Sequence, residues 1–313
     1  MHAADHIQRR LKLHDLRVLM TVAQAGSMLK AAQRLNTSQP AVSRSIAELE
    51  QALGVRLLDR SRQGVQPTIY GRALLDCGTA VFDDLRLGVK NLEFLTDPTE
   101  GELRIGGDFP GVAGVIPAAI RRFRRKYPRI EIGVALTNEL RQQHHALRER
   151  TLELVFGRLA QPSEKDLEVE ALLQEGLVVV TGVSNPWARR RKIQLAELAG
   201  EPWLLPTADS VIGSLVAHAF RTSGLDFPPK GVVTGAVLHM HSLISNGDSL
   251  GFFPSSLLRL GTIGLGLKVL PVNLPIPLSP FGILRLKNRT LSPLAQLFIS
   301  CAREVAKPLA HRK

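Results

Sequence analysis

A helix with marked ends, Ser38 to Gly54, constrains this chain more than any other stretch. Ser38 can accept hydrogen bonds from the first free backbone N–H groups. Pro40 is tolerated in the first turn, where its missing donor has no intrahelical partner. Gly54 suits a left-handed C-terminal position. Val42, Ile46, Leu49 and Leu53 follow a 4-3-4 spacing and share one apolar stripe. Pro40, Ser43, Arg44 and Ala47 project from the other side, with Gln39 at its edge. That surface suits the DNA major groove, where Arg pairs with guanine O6/N7 and Gln with adenine N6/N7. Taken alone, such a helix is more often an ordinary solvated amphipath.

Its neighbours reverse that preference. Leu13, Leu16, Met20 and Ala23 form a helical stripe ending at Gly26, and a short helix from Ser27 follows with Ala31, Ala32 and Leu35. Asn36-Thr37 gives a tight turn into Ser38, so three helices make a helix-turn-helix whose last member reads the groove. Val55 to Thr68 reads as two short strands around a tip, a wing carrying Arg60 and Arg62 towards phosphates or the minor groove.

The ungapped run Gly26-Ser27, Ala31 to Ile46, Leu49-Glu50, Leu53-Gly54-Val55 and Leu57 to Arg60 resembles the N-terminal domain of LysR-type transcriptional regulators. The resemblance implies that Gln39, Pro40, Ser43 and Arg44 face bases and that Arg60 serves the wing. Leu58 stands where the family usually has Phe, and Thr68-Ile69-Tyr70-Gly71 meets its Thr-x-x-Gly pattern. The expected DNA-binding set is Ser27, Lys30, Arg34, Ser38, Gln39, Pro40, Ser43, Arg44, Arg60 and Arg62.

After Tyr70, the residues Leu74, Gly78, Val81, Leu85, Gly88, Leu92 and Leu95 recur at alternating spacings of four and three, a heptad seam. Such a helix spans on the order of 40 Å, too long to pack only on its own small domain. Asp97-Pro98 ends it, and Thr99-Glu100-Gly101 reads as a hinge. Gly78 and Gly88 would let two helix backbones approach closely. The resemblance likewise implies dimerisation through this helix, as a homodimer or homotetramer, and hence a pseudo-palindromic DNA site.

From Gly101 onward apolar runs alternate with helical patterns: strands at 103–106, 130–136 and 152–156, helices at 112–126 and after Asn138. A crossover strand from Leu177 leads to a second set. It holds Trp203-Leu204-Leu205, a helix from Val211, a strand near Val232, a helix from His239, and Leu250 to Pro254. Phe281 to Arg285 returns, and a helix from Pro293 closes. This rhythm predicts two α/β lobes on largely parallel sheets, with ligands outside the carboxyl ends of strands. The runs Gly101 to Gly106, Phe123…Tyr127-Pro128 and Gly247…Gly251…Pro254 resemble the family's periplasmic-binding-protein-like effector domain. Glu153 replaces a family-typical Asp, with an effect expected on packing.

The expected architecture is thus α/β and multidomain. Residues 1–69 form a winged helix-turn-helix domain, 70–98 a linker helix and 99–313 an effector domain. Lobe 1 takes about 101–176 and 284–313, lobe 2 about 177–283. Strand ends nominate Asp108, Phe109, Thr137, Asn138, Arg158, Thr207, Asp209, His239 and Phe253 as effector-binding residues. Helix N-termini favour anions and Arg158 suits a carboxylate, whereas Asp108 favours sugar or polyol hydroxyls. The expected effector is a sugar, polyol or organic acid.

Composition agrees with this reading without carrying it. The net charge of +12 favours an anionic partner, but Arg121 to Lys126 and Arg189 to Lys192 lie far from the winged domain, and charge runs are usually solvated. Two isolated cysteines suit a reducing compartment, Met1 to Arg10 lacks a signal-peptide core, and no window is long enough to cross a bilayer. A cytoplasmic protein without membrane contact is expected. No nucleophile elbow, phosphate loop or metal spacing among the histidines supports an enzyme, a metal or a cofactor. The rival class is an architectural DNA binder without an effector, bound mainly through phosphates. A regulator would instead pass effector state through hinge and linker to RNA polymerase.

Overall fold

A computed structural model describes residues 11–61, 64–159, 164–208, 210–228, 231–234, 237–261 and 266–310. Arg62 and Asp209 lie outside the described residues. The chain divides into two compact units, Met1–Val89 and Lys90–Lys313.

In the first unit, α1 (Leu13–Ala25), α2 (Met28–Arg34) and α3 (Gln39–Leu53) precede a hairpin of β1 (Leu58–Ser61) and β2 (Gly64–Pro67). Gly26 and Gly54 take the left-handed conformation at φ 64° and 70°, and Asn36 makes the α2–α3 turn at φ 51°. Val18, Leu19, Val22, Ala31, Val42, Ile46, Leu49 and Leu57 form the core, and Leu58 is buried there in place of the bulkier aromatic. Side chains fix the joints. Ser45 Oγ donates to Asp15 Oδ1 at 2.9 Å, tying α3 to α1, and Glu50 Oε1 accepts the Leu57 and Leu58 N–H groups at 2.7 and 3.2 Å.

The Thr-x-x-Gly pattern has a steric cause. Thr68 Oγ1 donates to the Arg56 carbonyl at 2.7 Å and accepts the Gly71 N–H at 3.0 Å. A Cβ on Gly71 would stand 2.0 Å from the Leu57 carbonyl oxygen.

The helix α4 runs from Ile69 to Thr96, and its seam divides. Leu74 packs on the first unit's core, and Gly78 is buried with its Cβ position 3.2 Å from Met20 Sδ of α1. Gly78 therefore admits its own chain's α1, which corrects the expectation of a close approach between two copies at that residue. Leu85, Leu92 and Leu95 further along are exposed.

The second unit holds two five-stranded sheets. The first has β3 (Glu102–Gly107), β4 (Glu131–Leu136), β5 (Leu154–Arg158), β6 (Leu167–Glu175) and β12 (Ser279–Leu286) in the order β4-β3-β5-β12-β6. On one face lie α5 (Ile116–Arg124, after a π turn at Gly111–Val115) and α10 (Pro293–Ala310), and on the other α6 (Leu140–Arg148), whose Leu147 packs with Val155 and Leu284. Phe123, Phe156 and Phe298 meet edge-on or tilted at its centre. The second has β7 (Leu177–Gly182), β8 (Trp203–Leu205), β9 (Val232–Val233), β10 (Leu250–Pro254) and β11 (Leu267–Val269), ordered β11-β7-β10-β8-β9. Its helices are α7 (Val211–Thr222), α8 (Val237–Ser245) and α9 (Ser255–Arg259). Trp203 stacks on Phe252 at 4.8 Å in its core.

Both sheets are mixed rather than largely parallel. β12 runs antiparallel to β5 and β6, and β7 antiparallel to β10 and β11, while the remaining pairs are parallel. The departures come from the strands that connect the sheets without a crossover helix. The strand read at 152–156 lies two residues later. β6, β11 and α9 were not anticipated: β6 carries Glu168 and Glu170, which pair with Arg285 and Arg303 and interrupt its apolar pattern. The buried Glu153 accepts the Ser292 N–H at 3.2 Å just before α10.

Candidate nucleic-acid interface and effector site

The reading helix is built as a presented edge. Ser38 Oγ accepts the Ala41 N–H at 3.4 Å with Pro40 in the first turn, while Val42, Ile46 and Leu49 are buried. Burying that stripe turns Ser38, Gln39, Pro40 and Arg44 outward, all exposed, with Ser43 half-buried beside them. Lys30, Arg34 and Arg60 are exposed as well, and Ser27 is half-buried at the start of α2. The wing is held against the α1–α2 turn by the Val65 N–H donating to the Gly26 carbonyl at 3.0 Å. One guanidinium and one amide on a rigid, small-residue face can meet base edges, and the surrounding cations can meet phosphates.

The second group gathers at the carboxyl edge of the first sheet. Asp108 follows β3 and accepts the Gly111 N–H on Oδ1 and the Arg158 N–H on Oδ2, both at 3.0 Å. Burial pushes its carboxyl up to about 6, against the two N–H bonds and Arg158, which favour the charged form. Thr137 follows β4; its N–H donates to the Gly107 carbonyl at 2.8 Å. Gln143 of α6 donates Nε2 to the Thr137 carbonyl at 2.8 Å. A Cβ on Gly157 would lie 3.2 Å from Asp108 Oδ2 and 3.3 Å from Gln143 Nε2, so glycine leaves room for both groups.

Three buried atoms here lack a protein partner: Thr137 Oγ1, Gln143 Oε1 and Arg158 Nη2. Thr137 is 7% exposed and Gln143 2%. Burial also pulls the Arg158 guanidinium below its ordinary range, opposed by Glu175 and Asp108. Native proteins rarely leave such groups unsatisfied.

Sequence reasoning missed Gln143 and Glu175. Gln143 lies on the buried stripe of α6 with His144 and Leu147, in a helix whose polar sequence gave no signal for it. Glu175, fully buried at the end of β6, accepts the Ser255 hydroxyl at 2.9 Å, the Ser256 N–H at 3.1 Å and the Ser256 hydroxyl. It thereby ties the first sheet to α9 of the second lobe.

Phe109 packs against the second lobe's cluster around Met240, Phe253 and Leu257, and Phe253 itself lies in that core. Thr207 is exposed after β8, its carbonyl accepting the Ser210 hydroxyl at 2.6 Å beside the α7 N-terminus. His239 on α8 and Asn138 are exposed. Asp108, Thr137 and Arg158 converge at the edge of the first sheet, whereas Thr207 and His239 belong to elements of the second lobe.

A winged helix-turn-helix reader followed by a long helix and a two-lobed α/β unit defines a class of ligand-responsive DNA-binding protein. Residues 13–72 match the bacterial regulatory helix-turn-helix protein of the lysR family, and residues 96–307 match the LysR substrate binding domain. The chain belongs to the LysR family of transcriptional regulators. It is 31% identical to the SDS degradation transcriptional activation protein of Pseudomonas sp. (strain ATCC 19151), covering 91% of this chain and 93% of that one. Identity to the transcriptional regulator GbpR of Azospirillum brasilense is 27%, covering 95% and 87%. Among solved structures, a full-length single-site variant of OxyR from Pseudomonas aeruginosa shares the fold at TM-score 0.64 and 19% identity, covering 97% and 99%. CbnR in complex with its target DNA does so at TM-score 0.53 and 22% identity, covering 95% and 100%. Among the described residues, no helix is long and apolar enough to cross a membrane.

Proposed function

We propose that this chain is a sequence-specific transcriptional regulator whose promoter binding is set by a small polar organic effector held between the two lobes. The division of labour follows residues 1–69, 70–98 and 99–313. Gln39, Pro40, Ser43 and Arg44 read bases; Ser27, Lys30, Arg34, Ser38, Arg60 and Arg62 hold the backbone. The carrying observation for the effector is the trio of unpartnered buried atoms at Thr137, Gln143 and Arg158. Arg158 Nη2 asks for an acceptor oxygen and Gln143 Oε1 for a donor, a pair of demands met by sugars, polyols or hydroxylated organic acids. Phe109, Asn138, Thr207, Asp209, His239 and Phe253 complete the candidate set.

The chain works as a homodimer or homotetramer and performs no catalysis of its own. Support for pairing comes from Leu85, Val89, Leu92 and Leu95, exposed along α4, and from a groove of about 460 Å³ between Met20, Thr21 and Gln24 of α1 and Phe82, Leu85 and Val89 of α4. Effector binding favours one of two assembly states, and the change passes through 99–101 and α4 to the DNA and to RNA polymerase.

Selection of bound fragments from genomic DNA tests the reader: a single enriched, pseudo-palindromic motif is expected, and uniform recovery would leave an architectural binder. Thermal melting of the full chain with sugars, polyols and organic acids tests the effector site. A ligand-dependent rise in Tm is expected, and no shift with any of them counts against it.

A further inference from the structure

Charge is distributed against expectation for a DNA-binding protein. Residues 1–89 carry 12 Lys/Arg and 8 Asp/Glu, and residues 90–313 carry 28 and 20, so +8 of the net +12 lies in the second unit. Its densest run is at the end of α5. Ile116, Ala119 and Phe123 are buried, which turns Arg121, Arg122, Arg124, Arg125 and Lys126 outward, all exposed. Arg122 reaches Glu304 at 3.7 Å between two exposed groups, an ion pair of little energy. Among the described residues, no ion pair is formed by Arg121, Arg124, Arg125 or Lys126.

Helix stability does not require this arrangement. A cation near a helix C-terminus gains modestly from the dipole, but like charges three and four residues apart repel by a comparable amount. The surface does not suit a protein partner either. Protein interfaces centre on buried apolar or aromatic anchors, and no large hydrophobic side chain between Leu95 and Val134 is exposed. Fork-shaped donors on a rigid rod, without an apolar centre, match phosphate oxygens.

We propose that the outer face of α5 and the turn that ends it, through Arg121, Arg124, Arg125 and Lys126, form a second, sequence-independent phosphate-binding surface that holds DNA beyond the stretch read by the winged domains. The inference rests on the DNA-binding reading and adds to it a role for the effector domain in holding DNA. It assigns these cations to affinity and to the path of the DNA, and assigns no base preference to them.

The test uses the full-length chain and mixed-sequence duplex DNA, titrated by fluorescence anisotropy across a salt series. For the variant Arg121→Gln/Arg124→Gln/Arg125→Gln/Lys126→Gln, log K against log salt is expected to be shallower by about 0.9 for each phosphate left without its cation. The loss appears on a long duplex and disappears on one of about two helical turns. Replacing the three arginines by lysine retains the steep slope, which separates charge from any change of fold, and equal melting temperatures confirm that the exposed positions tolerate substitution. Equal slopes for parent and glutamine variant on the long duplex overturn the proposal, including in favour of an acidic protein as the partner of this face. Failure of the parent to bind either duplex would overturn the DNA-binding reading itself, so the two failures are distinguishable.

Discussion

The recognition helix and the carboxyl edge of the first sheet both collect polar side chains, but one holds them in water and the other withdraws them from it. On α3, Gln39 and Arg44 are exposed, and in the proposed reading their energy is realised only when a base edge replaces solvent. At the sheet edge, Thr137 and Gln143 are already desolvated, with atoms left unpartnered inside the protein. The desolvation cost of the first surface falls at binding, which favours discrimination between sequences. The second bears it on folding, at about 1–3 kcal/mol for an unmade hydrogen bond. Ligand groups that complete those bonds therefore have something to restore.

The largest effect is expected where the reading face depends on backbone geometry. Gly71→Ala places a methyl 2.0 Å from the Leu57 carbonyl, and rigid backbone cannot yield as a side chain would. A loss of about 3 kcal/mol or more is expected from such overpacking, read by chemical denaturation, with wing and α4 separating together. A variant as stable as the parent would mean that the wing is loosely held and that α3 is not presented on a fixed frame.

Next is the pH dependence of the withdrawn site. Asp108 has its carboxyl raised from 3.8 to about 6 by burial, so between those values the native state holds a proton that the unfolded chain has released. Stability from this group is full below about 4 and is lost as pH rises through 6, about 3 kcal/mol in all. Asp108→Asn should remove that slope, leaving a pH-independent offset because the amide oxygen cannot accept both N–H bonds. Glu164, Asp166 and Glu170, whose carboxyls are lowered mainly by hydrogen bonds from Arg148 and Arg303, act with the opposite sign at lower pH. The difference between parent and variant is therefore the quantity to measure. Parallel curves would mean that Asp108 is well solvated and that the contrast between the two regions is overstated.

The exposed face carries the third expectation. Arg44→Ala should weaken binding to the selected operator by about 1–3 kcal/mol while barely altering binding to random duplex. Paired titrations on the two DNAs decide it, and equal losses would make Arg44 a phosphate ligand.

The contrast also explains what the sequence revealed. Caps, turn residues and apolar spacing are local, so Asn36, Ser38 and Pro40 at one end and Gly54 at the other announce the reader from a single short stretch, and burying Val42 and Ile46 necessarily exposes Gln39 and Arg44. The sheet-edge site is assembled from Asp108, Thr137, Gln143 and Arg158, brought together only by strand order. Asp108, Thr137 and Arg158 were legible as strand ends. Gln143 was not, because a glutamine on a polar-looking helix carries no local mark of burial. Glu175 was hidden for a related reason: β6 bears charges that pair across the sheet, which blurs the strand on whose end it sits.

The smallest effect probes that difference most directly. Thr137→Val keeps the shape of a buried side chain and removes a hydroxyl that has no protein partner. Deleting a hydrogen-bonded hydroxyl from the interior costs about 1–3 kcal/mol, whereas deleting an orphan is neutral or stabilising by a fraction of that. Without ligand, the variant should melt at or slightly above the parent's temperature. With a hydroxylated effector that stabilises the parent, its Tm should rise less, because one hydrogen bond to the ligand is gone. A clear destabilisation without ligand would show that the hydroxyl already does structural work, and the sheet edge would then be an ordinary polar core, with only the face of α3 left waiting for a partner.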